Sequence, residues 1–341
     1  MLFDELVIAV MKTINLERTL SAPYHVIKGK KSGQTIQDIG YYKLHPYFAL
    51  MPRLEKAVYD QAVKSLINRN YIRFNEEVID LTEKAIDLPI PHSPLNGWKY
   101  RGNEMIFLNR LSLVIQTLSH TSQSVNKFDP THNSDELQSW VKKFLKTIHF
   151  RNLESVAKLK AEIRDSLHAA NVSAGHKNML MQRLSGLGWS GLTWEQIAGF
   201  QNIQVLDAQL AVIETLHGWL EAIEKGNYPF LALMKENIVQ LSSLTESTRR
   251  TEKLFKEGYT LTEIASIRQL KTSTIEDHFV ELAMNDPLFG HSAFISNELY
   301  EKILDISKKD GTKRLRNIKE KVPAASYFQI RLALAIEEEL K

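Results

Sequence analysis

No cysteine occurs in the 341 residues. Disulfides and cysteine-ligated zinc or iron–sulfur centres are therefore excluded, and a reducing cytoplasm is the expected setting. No apolar run approaches the roughly 18–20 residues that a membrane-spanning helix needs, so no membrane contact is expected. The opening run MLFDELVIAVMKT carries Asp4 and Glu5 and lacks a basic leader, so it does not read as a signal peptide. Metal-ligand spacing is also missing: His168 and His176 stand eight apart and His217 stands alone. No nucleophile–base pair or carboxylate dyad is recognisable. Lys30-Lys31-Ser32 makes no nucleotide loop, because a Walker A motif needs G-x-x-x-x-G-K-[ST] and Tyr24 stands where its first glycine belongs. No acidic motor box accompanies it. The chain is expected to be non-enzymatic, with no cofactor, no metal and no small-molecule substrate.

Hydrophobic residues make up 43% and charged residues 24%, the balance of a soluble globular chain with room for two or three domains. The most structured stretch is Thr260–Leu282, TLTEIASIRQLKTSTIEDHFVEL. Thr260 and Glu263 have capping-box spacing, and Ser273 and Glu276 repeat it. Ile264, Ala265, Ile267 and Leu270 are apolar at helical spacing, and Ile275, Phe279 and Leu282 make one stripe on a second helix. Ala265 is small where two crossing helices would touch. This is helix-turn-helix grammar, and its second helix can enter a DNA major groove. The nucleic-acid contacts it offers are Arg268, Lys271, Thr272, Ser273, Thr274 and His278. Asp277 and Glu281 on the same helix would be repelled by phosphate, which counts against sequence-specific readout.

The net charge of +3 names no partner, but the charge is unevenly placed. Between Arg18 and Arg73 ten Lys and Arg face three Asp and Glu, and between Lys302 and Lys321 eight face three. Concentrated positive surface fits phosphate contact. In the first stretch Phe3, Leu6, Val7, Val10, Met11 and Ile14 form a helical apolar face. Helices are read over Leu20–Lys28, Gln34–Tyr41 and Leu54–Asn68, then strands over Tyr71–Phe74 and Val78–Leu81. Helices followed by a hairpin make a winged helix, with Lys28, Lys30, Lys31, Ser32, Lys43 and Arg73 as its candidate phosphate contacts.

Pro89, Pro91, Pro94 and Gly97 mark a boundary. Helices follow over Glu104–Leu118, Leu137–Ile148, Leu153–Ala170, Val205–Ile223 and Leu231–Leu244, with a loop over Ser119–Asp135. Trp140, Trp189, Trp194 and Trp219 read as packing residues, with base stacking as the alternative. After the helix-turn-helix, Lys313, Arg314, Arg316 and Lys319 fall within two helical turns, and a last helix carries a capping box at Ser326 and Gln329. The fold class read from these elements is mainly α. It comprises a winged-helix domain with a small β-hairpin (1–88), a helical middle domain (89–245) and a helix-turn-helix domain (246–341).

Tyr24-His25-Val26-Ile27-Lys28-Gly29-Lys30-Lys31-Ser32, Asp38-Ile39-Gly40-Tyr41, Lys43-Leu44 and Val63-Lys64-Ser65-Leu66-Ile67 resemble, in order, the winged helix that follows the motor of RecQ-type helicases. That domain grips duplex beside a fork. The resemblance implies phosphate contact by Lys28, Lys30, Lys31 and Ser32, and makes Phe74, near the hairpin tip, a candidate strand-separation wedge; Phe74 shares strand parity with Ile72, and by that pattern reads as a core residue instead. Its usual four-cysteine zinc module is absent here. Gly258-Tyr259-Thr260-Leu261, Ile264-Ala265, Arg268, Thr274-Ile275-Glu276-Asp277-His278 and Tyr327-Phe328-Gln329-Ile330-Arg331 resemble the helicase-associated helix-turn-helix. With both ends together, the chain resembles the YpbB family of Gram-positive bacteria. This implies a motorless accessory protein whose partners are duplex or forked DNA and a separately encoded RecQ-type helicase. A transcription regulator and a protein–protein adaptor remain as alternative readings.

Overall fold

The computed structural model describes residues 1–73, 78–125, 127–239, 244–286 and 288–339. The chain is mainly helical. The sheet among the described residues is one antiparallel pair, β1 (Ile72–Arg73) and β2 (Asp80–Leu81), in register Ile72↔Leu81 and Arg73↔Asp80. Tyr71, Val78 and Ile79, expected in these strands, lie outside them, and Phe74 falls outside the described residues. Among the described residues no helix is long and apolar enough to cross a membrane.

The chain forms two compact units, and neither is one continuous segment. The first holds Met1–Ile8, Ala49–Pro52 and Pro89–Gln240; the second holds Ala9–Phe48, Arg53–Leu88 and Leu241–Lys341.

The first unit is built around the Val205–Lys225 helix, whose Leu210, Leu216, Trp219 and Leu220 are wholly buried. It packs on the helices Glu104–Ser122, Leu153–Ala169, Ala174–Gln182 and Trp194–Gln201. Trp219 meets Phe107 edge-on at 5.3 Å and donates its indole N–H to Ser166 Oγ at 2.7 Å, so burying this ring leaves no orphaned donor. One expected helix is corrected. Leu231–Leu244 is not continuous: a helix runs over Pro229–Met234, and Asn237 takes a left-handed φ of 61°. The chain turns there because Arg110 donates to the carbonyls of Met234 and Glu236, at 2.9 and 2.7 Å, taking the place of further helical N–H groups.

The second unit joins elements from both ends of the chain. From the N-terminal side come the helices Ala22–Lys28, Gly33–Tyr41 and Lys56–Asn68 and the β1–β2 hairpin. From the C-terminal side come Glu246–Lys256, Leu261–Ile267, Thr272–Ala283, Asn297–Asp310, Leu315–Lys321 and Tyr327–Glu339. The Thr260–Glu263 capping box forms as its spacing required, and so does that of Ser326 and Gln329. The Ser273–Glu276 box does not. The helix starts two residues earlier than that cap requires, at Thr272 after Lys271, so Ser273 is already a helical residue and cannot cap the first turn. Phe255, Phe279, Phe294 and Phe328 form the aromatic centre, with ring contacts between 4.8 and 5.7 Å.

The helices Gly33–Tyr41 and Thr272–Ala283 pack together, with side chains of the second segment seated against glycines of the first. A Cβ on Gly33 would lie 2.6 Å from the Asp277 carboxyl carbon, and one on Gly40 would overlap the methyl of Met284. Both pairs are seven residues apart and run in the same order, so the two helices are parallel. Tyr41 fastens the end of the contact: its hydroxyl donates to the Arg331 carbonyl at 2.7 Å, and its own carbonyl accepts from Lys313 Nζ.

Gly33→Val is therefore expected to lower stability by about 1–3 kcal/mol, as overpacking does. Gly175 has open space around it and serves as the control. Gly175→Ala should be neutral or gain up to about 1 kcal/mol through helix propensity. Urea midpoints of the two variants against the native chain measure this, and equal midpoints would show that the close approach is not a constraint.

Candidate nucleic-acid interface

A helix N-terminus presents free N–H groups and a partial positive charge. Two parallel helices present both such ends on the same side. Asp277 is the sixth residue of its helix and lies against Gly33, the first of the other. The Thr272 helix therefore begins five residues earlier, a stagger of roughly 7 Å at 1.5 Å per residue. Around these ends Lys30, Lys31, Lys271, Thr272 and Ser273 are exposed. Ser32 caps the Gly33 helix, its hydroxyl accepting from Thr35 N at 3.4 Å.

A cleft of about 440 Å³ opens beside the Gly33 helix end. Its walls carry Arg18, His25, Lys30, Ser32, Arg314 and Arg316, with Glu17 and Asp38 as the acids. Residues of the two basic stretches seen in the sequence, Lys30 and Arg314 being more than 280 positions apart, thus reach one cleft. Burial holds the His25 imidazole below its ordinary pKa, and Lys30 and Lys56 push it the same way. Burial raises the Asp38 carboxyl above the usual carboxylate range, against the pull of Arg18 at 2.8 Å.

Other sequence-selected residues are engaged within the fold. Lys28 Nζ donates to Tyr24 Oη at 3.1 Å and to the Leu54 carbonyl at 3.0 Å. Lys319 Nζ donates to the carbonyls of Pro323 and Ala325 at 2.8 and 2.7 Å. Lys313 holds Tyr41, as above, and lies over the Tyr42 ring. Arg268 donates to Ser247 and Thr251, tying two helices together. Arg73 pairs with Asp80 across the hairpin at 3.2 Å. Lys43 is exposed at a left-handed φ of 52°, and Thr274 is half-buried. Phe74 lies outside the described residues.

The second helix of the helix-turn-helix is enclosed. Ile275 and His278 through Ala283 are buried, and within Thr272–Ala283 only Thr272 and Ser273 are exposed. The two acids that weighed against DNA have internal partners. Asp277 pairs with Arg331. Glu281 accepts from Thr245 N at 2.5 Å and from Thr248 Oγ1 at 2.6 Å. Its sequence gave no signal for either pairing, because the partners lie 54, 36 and 33 residues away.

In the first unit the histidines also have partners that spacing did not reveal. His217 Nδ1 accepts from Asn96 N at 3.0 Å and its Nε2 is 3.5 Å from Glu104; His176 Nδ1 is 2.8 Å from Glu214. Trp140 stacks with Phe144 and lies under Arg110, and Trp194 lies under Arg183. Trp189 is 58% exposed.

Residues 247–334 match a family described as a helix-turn-helix domain, a match lying wholly within the second unit. The chain is similar to Protein YpbB of Bacillus subtilis (strain 168), at 28% identity over 342 aligned residues, covering 97% of this chain and 96% of that protein. No solved structure matches the chain.

His278 supplies a direct check on the enclosed helix. Its Nδ1 is 2.8 Å from Thr251 Oγ1 and 3.3 Å from Arg268 Nη1, so a guanidinium donor faces the nitrogen that a proton would occupy. Burial first, then Arg268, depresses its pKa from 6.5 to about 4. The folded chain refuses a proton that the unfolded chain takes below pH 6.5. The stabilisation is thus complete above pH 6.5 and is lost as pH falls toward 4, at about 1.4 kcal/mol per unit. Between pH 6.5 and 5 the native chain should lose about 2 kcal/mol that His278→Asn does not lose. Urea unfolding across that range tests it; parallel pH curves for the two proteins would place the titration elsewhere.

Proposed function

We propose that this chain is a non-catalytic DNA-binding accessory protein that holds duplex or forked DNA by its phosphates. The observation that carries this reading is the meeting of two distant basic stretches at one cleft beside the Gly33 helix end, where Lys30, Arg314 and Arg316 supply charge. Lys31 is exposed next to Lys30, and Lys271, Thr272 and Ser273 are exposed at the start of the Thr272 helix, offering further charge, hydroxyl and backbone donors. Such groups bind phosphate without reading sequence. The helix-turn-helix match supports DNA as the partner. The enclosed second helix argues against major-groove readout, and so against a sequence-specific regulator.

The remainder of the proposal follows from the resemblances. A separately encoded RecQ-type helicase supplies ATP hydrolysis, and this chain presents or steadies the junction in DNA repair, recombination or replication. Its own residues offer no motor motif.

A salt titration of binding to single-stranded, blunt duplex and forked DNA tests the first part. A steep log–log slope with duplex or fork preference is expected. Reversing Lys30 and Lys31 to Glu should weaken binding to every duplex sequence alike and flatten the slope by about 2. A loss confined to one sequence would contradict the phosphate role, and no binding at low salt would leave the adaptor reading in its place. For the second part, adding the chain to a RecQ-type motor should raise fork unwinding; an unchanged rate removes the helicase partnership.

A further inference from the structure

We propose that the cleft between Lys30 and Arg314 is a pocket for the terminal phosphate of a nucleic-acid strand. This deepens the reading above and rests on it. The cleft volume of about 440 Å³ suits one nucleotide-sized group. A continuous duplex is too broad to enter such a recess, so internal phosphates stay at its rim. A strand end is not so restricted.

The wall chemistry selects an anion with surplus charge. Arg18, Lys30, Arg314 and Arg316 face Glu17 and Asp38, four formal cations against two carboxylates. Asp38 has a cationic partner and Glu17 a neutral one. Asp38 Oδ1 accepts from Arg18 Nη2 at 2.8 Å and from Gln34 Nε2 at 2.7 Å, and Glu17 accepts from the Tyr42 hydroxyl at 3.2 Å. Arg316 pairs with Glu320 at 3.1 Å on its own helix. Arg314 is half-buried and its guanidinium makes no hydrogen bond or ion pair among the described residues, and Lys30, on the same cleft, is exposed. A guanidinium matches phosphate oxygens in bidentate geometry. Burial first, then Lys30 and Lys56, holds the His25 pKa below its ordinary value at the same wall.

A phosphate monoester carries about −1.5 to −2 at neutral pH, whereas an internal diester carries a single charge. Two uncommitted cations in a recess therefore favour the monoester. Among the described residues no Phe, Tyr or Trp lines the cleft, and the ring it offers is the small, half-buried His25 imidazole, a poor platform for stacking a base. Recognition is of the phosphate and independent of the terminal base.

The test compares full-length chain binding to one blunt duplex carrying 5′-phosphate, 3′-phosphate or hydroxyl ends. One phosphorylated form should bind about tenfold or more tightly than the hydroxyl form, the scale of a charged bidentate contact. The preferred end identifies the source of the phosphate. Arg314→Gln should bring the ratio of phosphorylated to hydroxyl affinity close to one. Lys30→Gln, at an exposed position, should reduce the same ratio and stands in should Arg314→Gln fail to fold. Equal binding of all three duplexes by the native chain would overturn the pocket while leaving backbone binding intact. A ratio unmoved by both substitutions would also overturn it. Absence of binding to every duplex would instead overturn the DNA reading, and the pocket assignment with it.

Discussion

The second unit depends on how closely two helices approach at Gly33 and Gly40. The missing side chains leave room that the Asp277 and Met284 side chains of the partner segment fill. Asp277 does not swing away because Arg331 holds it. Tyr41 then binds the far end of the contact to Arg331 and Lys313. These ties convert the second helix of the helix-turn-helix from a rim element into the centre of its unit. The helices Glu246–Lys256, Leu261–Ile267, Gly33–Tyr41 and Tyr327–Glu339 all pack on it.

Enclosure changes what such a helix can offer a nucleic acid. A recognition helix reads bases with one open flank. Here the flanks are used internally: Phe279 in the aromatic centre, Glu281 on Thr245 and Thr248, His278 on Thr251. What stays open is the end, with Lys271, Thr272 and Ser273. Helix ends address phosphates, and phosphates position a protein without specifying sequence. The acids that would repel DNA on a free helix are absorbed by the packing that encloses it.

Local features were legible in the sequence. The Thr260 and Ser326 capping boxes need only residues three apart, and the Ile275–Phe279–Leu282 stripe needs only helical periodicity. All three side chains of that stripe are buried. The misreadings were local too. Ser273 and Glu276 have capping-box spacing, but spacing does not fix which residue begins the helix. Leu231–Leu244 is apolar enough for one helix, but Arg110, more than 120 positions away, captures the carbonyls that end it. The site was legible only in pieces. Lys30 and Arg314 each stood in a basic stretch, and composition cannot place one stretch beside the other. The glycines were the missed signal: Gly40 lies in the predicted Gln34–Tyr41 helix and Gly33 just before it, seven apart, and together they mark a smooth face that a neighbour can approach.

Placing both basic stretches on one unit alters the energetics of binding. Contacts on separate domains would gain through effective concentration set by a linker. Contacts on one rigid unit are already oriented, and the gain comes from not having to order them. The opposing cost is self-repulsion among like charges held close together. The fold offsets this with neutral and acidic partners at the cleft edge. Lys313 is held by a carbonyl and an aromatic face, Arg18 by Asp38, Arg316 by Glu320. Lys30 and Arg314 stay uncommitted between them. An anion bridging these two would cancel the remaining repulsion and join segments from opposite ends of the chain, so its binding energy would add to the stability of the unit itself.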